Sequence, residues 1–228
     1  MQEHDQNSSE DPPDEQQRGA IVWFIRHGES EALIGKAATH SEEIRLTQAG
    51  RQHAEKIATM ISRSPDLIVS SSYLRAWETA LPTLQRYAQI PHTIWPVHEF
   101  TYLGSQAGVC STRAERRSLV EAYWERCEPT YQDGTGESFA QFISRARTTI
   151  DLLKQMQGFI LIFTHEQFIR ASQGIFHGWL DDTPRHMRQF RQRLLDDPLP
   201  YGYILDMHIC PNEGSGQERF LQREYILR

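Results

Sequence analysis

Two histidines and two arginines stand where apolar runs of this sequence give way to polar residues. Ile21–Ile25 runs into Arg26-His27-Gly28-Glu29, and Phe159–Phe163 runs into Thr164-His165. Leu67–Val69 runs into Ser70-Ser71, with Arg75 shortly after. Arginine carries a planar, permanently charged group that grips oxyanions with paired donors. Histidine can attack or donate close to neutral pH. The four together suit a phosphoryl group. A lone histidine at a strand end is more often a packed residue with one hydrogen bond. Four basic or imidazole groups at equivalent strand ends point instead to one shared anion.

Such convergence needs a scaffold. Short, continuous apolar runs flanked by helical patterns predict buried parallel strands. Open parallel sheets hold ligands beyond the carboxyl ends of their strands. The three runs above are therefore expected to be neighbouring strands, with His27, Arg26, Arg75 and His165 opening into one crevice. Gly28 removes a side chain where the backbone must turn sharply or approach a ligand.

Between the strands, Thr47 is the expected cap of a helix with Ala54, Ile57, Ala58 and Ile61 on its inner face. Tyr73–Tyr87 is expected to be helical, with Ser70 to Ser72 available as caps and Pro82 predicting a kink or early end. Ser138–Met156 is amphipathic, with Phe139, Phe142, Ala146, Ile150 and Leu153 on one face. Gln167–Phe176 is expected to be a further helix, followed by a loose arginine-rich stretch. Tyr203–Ile209 and Arg219–Leu227 are strand-like and predict an edge hairpin. Residues 98–136 are glycine-rich around a single expected helix, Thr112–Arg126, and predict an insert serving as a lid or pocket wall. The fold class that follows is three-layer α/β/α with a mainly parallel central sheet.

Composition narrows the function. The chain has 228 residues, enough for one well-cored domain. Residues 1–18 carry six acids and one base and predict a disordered acidic tail. Residues 19–228 then form a single domain, with 23 basic and 24 acidic residues. Such a balance argues against a nucleic-acid partner. No apolar run approaches membrane-spanning length, which predicts no membrane partner. The N-terminal stretch has no charged-then-apolar signal pattern. The three cysteines, Cys110, Cys127 and Cys210, fit neither a disulfide framework nor a zinc clamp. A cytoplasmic location is the expectation.

Arg26-His27-Gly28-Glu29, then Leu46-Thr47-Gln48-Ala49-Gly50, then Ser71 through Ala80, then the strand ending in His165, together resemble the histidine phosphatase superfamily, also called phosphoglycerate-mutase-like. The likeness runs from about residue 21 to 178. It implies a mainly parallel α/β fold and a phosphohistidine mechanism with His27 as the nucleophile. Arg26, Arg75 and His165 would bind phosphoryl oxygens, and His165 would also belong to the catalytic set. The family's acid follows the second long helix, which brings Glu99 into that role, with His98, Glu29 and Glu137 as competing candidates. No metal or other cofactor is implied, and the partner is a small phosphorylated metabolite.

The sequence departs from the pattern in two informative places. Leu33 stands where many relatives have Asn, so a phosphate contact is either missing or supplied from elsewhere. Glu166-Gln167 stands where many have Gly-Gly, which would repel an anionic substrate or select one bearing a donor group. A phosphomonoesterase is the leading expectation. A mutase, for which Arg113, Arg116 and Arg117 would supply extra basic contacts, and a non-catalytic phospho-ligand binder are the alternatives. Oligomeric state is left open.

Overall fold

A computed structural model describes residues 19–32, 40–106, 109, 111–112, 114–209 and 222–226. The expected acidic tail, Leu33, Arg113, Cys110 and Cys210 lie outside these residues. Among the described residues six strands form one sheet, with β1 Ala20–Arg26, β2 Leu67–Ser70, β3 His92–Ile94, β4 Gly158–Thr164, β5 Ile204–Ile209 and β6 Gln222–Tyr225. Their order is β3-β2-β4-β1-β5-β6. The first four are mutually parallel, β5 is antiparallel to β1, and β6 is antiparallel to β5. The sheet is thus mainly parallel, and the expected pairing of the last two strands is present.

The described residues also form six α-helices, which cover the sheet: α1 Gln48–Met60, α2 Leu74–Arg86, α3 Arg117–Arg126, α4 Phe139–Leu153, α5 Glu166–Phe176 and α6 Pro184–Asp196. β1 and β4 read as unbroken apolar runs because both of their faces are buried. Val22, Phe24, Ile160 and Ile162 pack with α4, α5 and α6 through Phe142, Phe168 and Phe190. Ile25, Leu161 and Phe163 pack on the other face with Ile57 and Ile61 of the α1 segment and Ala80 of α2. This gives the three layers.

Caps place the helices. Thr47 Oγ1 accepts from Gly50 N at the start of α1, and Ser138 and Gln141 form a reciprocal capping box on α4. The described part of 98–136 is anchored by rings rather than standing free. Phe100 stacks on Phe142 at 4.6 Å, Tyr102 meets Tyr123 at 4.6 Å, and Trp124 lies 6.3 Å from Phe190.

Several expectations need correction. α2 runs through Pro82 without a break. Ala76, Thr79, Ala80 and Thr83 are buried along that helix, and their packing offsets the lost backbone donor. No serine caps α2; Tyr73 occupies the cap position, and Ser71 Oγ accepts from Tyr73 N at 3.1 Å instead. The helix expected from Thr112 begins at Arg117. The arginine-rich stretch after α5 is not loose but forms α6. Thr183 caps it, Pro184 starts it, and Met187 and Phe190 are its buried anchors.

Candidate active site

Strand register brings the chemistry together. β1 pairs with β4 so that Arg26 lies opposite Thr164, and His27 and His165 then leave the sheet side by side. Their ring centroids are 5.2 Å apart. β2 pairs Ser70 with Phe163, which sets Ser71 next to His165. Ser71 Oγ is 2.9 Å from His165 Nε2. Arg75, in the first turn of α2, donates from Nε to His27 Nε2 at 3.1 Å and from a terminal nitrogen to the Ser41 carbonyl at 2.7 Å. The Glu78 carboxylate, one turn along α2, takes Arg45 and the Leu46 amide.

Arg26 is held from several sides. Its guanidinium donates to the Leu199 carbonyl, sits 3.0 Å from Glu166 Oε2, and lies 4.4 Å over the Tyr201 ring. Glu99 enters from the loop after β3. Its Oε1 accepts from Gln167 N at 3.1 Å, in the first turn of α5.

The hydrogen bonds define the state of His27. Nδ1 lies 2.7 Å from the Gly28 carbonyl, which can only accept. Nδ1 therefore carries the proton, and Nε2 offers a lone pair toward Arg75. Burial first, then the charges of Arg75 and Arg26, hold the His27 pKa well below the ordinary histidine value, against the opposing Gly28 bond. Burial, then Arg75, depress His165 in the same way. Both rings are neutral near pH 7. Arg26 Nε, His165 Nδ1 and Gln167 Oε1 are buried and have no partner among the described residues. Buried polar atoms are seldom left so, and a phosphoryl group offers acceptors for the two nitrogens.

The acids separate by their surroundings. Burial raises the Glu99 pKa, with Arg75 pulling it back and nearby Glu166 adding to the rise. Glu137 is committed to Arg145, with Nε to Oε1 at 2.6 Å and a second bond of 2.9 Å. Glu29 accepts from Thr47 Oγ1 at 2.7 Å. His98 stacks on Tyr73 at 5.4 Å, and its pKa is lowered, by burial first and then by Arg145. Glu99 is the candidate whose surroundings favour holding a proton.

Gly28 is required by packing. A Cβ there would overlap the Gly50 carbonyl, and one at Gly50 would overlap the Glu29 carbonyl. The strand end and the start of α1 touch backbone to backbone. Gly28 N also donates to Thr79 Oγ1 at 3.0 Å, which donates onward to the Arg75 carbonyl at 2.7 Å. Two of the insert's additional basic residues, Arg116 and Arg117, have local duties. Arg116 donates to the Ser111 carbonyl and hydroxyl, and Arg117 pairs with Glu121.

Two contributors escape sequence reasoning. Arg145 clamps the loop that bears Glu99, donating to the carbonyls of Pro96, His98 and Glu99 as well as to Glu137. Tyr201 faces both Arg26 and His27, the latter at 5.7 Å between ring centroids. Glu166 shows the opposite case. Its side chain does not stand free in the crevice but turns onto Arg26, with Oε1 accepting from Leu199 N at 2.9 Å. Pro198 and Pro200, beside Tyr201, were the available sign of a fixed strap in that segment.

Comparison with known proteins meets this geometry from the other side. The chain is 29% identical over 153 residues to the adenosylcobalamin/alpha-ribazole phosphatase of Escherichia coli (strain K12), a match covering 64% of this chain and 73% of that protein. It is 25% identical over 134 residues to the glucosyl-3-phosphoglycerate phosphatase of Mycobacterium tuberculosis (strain H37Rv), covering 58% of this chain and 60% of that one. The crystal structure of a putative alpha-ribazole-5'-P phosphatase from Escherichia coli superposes with a TM-score of 0.69 at 22% identity, covering 90% of this chain and 95% of the other. The pattern of the histidine phosphatase superfamily (branch 1) matches residues 22–195, a span holding Arg26, His27, Arg75, Glu99 and His165. On that span and that fold, the chain belongs to the histidine phosphatase superfamily.

Proposed function

We propose that the chain hydrolyses phosphate monoesters of small metabolites through a phosphohistidine on His27. The observation that carries this reading is the His27 imidazole itself. Its proton is held on Nδ1 by the Gly28 carbonyl, its Nε2 lone pair faces Arg75, and its pKa is depressed. A neutral, oriented imidazole beside two arginines is the form that can attack phosphorus. The names of the relatives, alpha-ribazole phosphatase and glucosyl-3-phosphoglycerate phosphatase, support the same reaction class on small phosphorylated compounds.

In the proposed cycle the phosphoryl oxygens take the Arg75 Nε–H away from His27 and accept from Arg26 and His165. This frees the Nε2 lone pair, which forms the N–P bond as the ester P–O bond breaks. Charge on the equatorial oxygens is matched by donors already in place. Glu99 gives its proton to the departing alkoxide. A water then attacks the phosphohistidine while the Glu99 carboxylate takes its proton. Phosphate leaves, and both residues return to their starting states. Every proton in this cycle moves between Glu99, the alcohol and water, and the phosphoryl charge is met by Arg26 and Arg75. The described part of 98–136 serves as a pocket wall, with Glu99 at its root.

The test is hydrolysis of an aryl phosphate in the presence of a chelator, alongside His27→Ala. Full activity with chelator and a loss of at least ~10³-fold in the variant are expected for removal of a covalent nucleophile. Acid-labile phosphate should appear on the wild-type chain after quenching. Equal rates in the two proteins would refute the assignment.

A further inference from the structure

We propose that Glu166 is a charge filter, which makes the site select phosphate monoesters whose leaving group carries no carboxylate or second phosphate. The proposal deepens the phosphatase reading above and rests on it for the orientation of substrate.

Glu166 is the first residue of α5, and its carboxylate is committed at both oxygens. Oε2 lies 3.0 Å from the Arg26 guanidinium, and Oε1 accepts the Leu199 amide at 2.9 Å. Both side chains are shielded, with Arg26 at 13% and Glu166 at 14% of full exposure. An ion pair this enclosed is poorly screened by salt. The next amide along the helix, Gln167 N, holds the second carboxylate, Glu99. Two acids therefore bracket one helical turn. They are close enough for Glu166 to push the Glu99 pKa upward.

Glu99 is the group assigned to the leaving oxygen, so this acidic pair marks the side on which the alcohol departs. The positive charges that could receive a second anion there are already matched. Arg26 is paired with Glu166 and Arg145 with Glu137. Arg75 is directed at His27 and the Ser41 carbonyl, on the phosphoryl side. A carboxylate or second phosphate on the leaving group would face Glu166 across a region of low dielectric, with no free cation among the described residues to accept it. A hydroxyl-bearing leaving group would meet acceptors instead. The filter therefore works by repulsion of the wrong substrate as well as attraction of the right one.

The experiment measures binding, so that it stands apart from turnover. Glycerol 3-phosphate and 3-phosphoglycerate are titrated calorimetrically into His27→Ala and into His27→Ala/Glu166→Gln. The two ligands match in size and differ by one carboxylate. The first protein should bind glycerol 3-phosphate at least ~10-fold more tightly, the scale of one poorly screened like-charge contact. Glu166→Gln keeps an acceptor for the Leu199 amide but removes the charge. It should bring the ratio of the two dissociation constants to within about threefold of one, mostly by tightening phosphoglycerate. The ratio is immune to any general weakening of binding. Tighter binding of phosphoglycerate by the first protein overturns the filter without need of the second. An unchanged ratio in the second overturns it as well. A wild-type chain that releases phosphate from no ester would instead refute the phosphatase reading, and the binding ratio would still decide the filter.

Discussion

Replacing Arg145 with methionine keeps the length of the side chain and removes the clamp on the loop that carries Glu99. Arg145 and Glu137 are 13% and 14% exposed, and two short bonds join them. Removing one member of a mostly buried pair leaves the other charged and unpaired, at a cost of about 3–5 kcal/mol. The carbonyls of Pro96, His98 and Glu99 also lose a donor. Pro96 is exposed and the other two are half-buried, so water replaces much of that loss. The expected destabilisation is therefore about 3–4 kcal/mol, or a fall of more than ~1 M in the urea midpoint for a chain of this size. Arg145→Met/Glu137→Gln removes the orphaned charge and should recover about 1–2 kcal/mol of that loss. Urea unfolding of wild type, the two single variants and the double variant supplies the cycle. Aryl phosphate turnover in the same proteins reports on the loop, and both proteins lacking Arg145 should lose ~10–100-fold in kcat because Glu99 is no longer held. A single variant costing less than about 1 kcal/mol, or a double variant no more stable than Arg145→Met, would refute the enclosed-clamp reasoning.

Two further predictions follow from the site. His27 and His165 have folded pKa values below the unfolded value of about 6.5, so the unfolded chain takes up protons first as pH falls. Their contribution to stability is full above pH ~6.5 and declines below it, by up to about 1.4 kcal/mol per pH unit for each ring. Unfolding free energies measured from pH 8 to pH 5.5 should be level and then fall, and a flat curve would contradict the buried, neutral assignment. Gly50→Ala should destabilise by about 2–4 kcal/mol, because the added methyl meets the Glu29 carbonyl. Thermal unfolding that leaves the midpoint within a degree of wild type would show that the backbone contact is not tight.

The strands and their order of burial were legible because β1 and β4 are covered on both faces, and such strands can only be apolar throughout. His27, His165 and Arg75 were legible because each stands within a few residues of a strand end, where position in sequence predicts position in space. Arg145 was not. The carbonyls it clamps lie 46 to 49 residues upstream, and its helix position reads as an ordinary polar face. α6 was hidden for a different reason. Its apolar anchors, Met187 and Phe190, are sparse among arginines, so periodicity was weak. The Thr183-Pro184 pair was the readable start signal. Pro82 misled because propensity assigns its cost locally, whereas the buried face of α2 is stabilised by contacts far away in sequence.

The wall over Arg26 is built by the segment between α6 and β5. Buried Arg170 holds Asp197 at 2.7 Å and fixes the start of that strap. Leu199 then gives its carbonyl to Arg26 and its amide to Glu166, Tyr201 lays its ring on Arg26, and Gly202 N donates to the His27 carbonyl at 3.2 Å. Arg26 N in turn donates to the Tyr203 carbonyl at 2.8 Å, where the strap enters β5. On the proposed mechanism, β1, β4 and α2 carry the groups that make and break the bond to phosphorus, and the strap, pinned at Asp197 and again where it enters β5, fixes Arg26 among them.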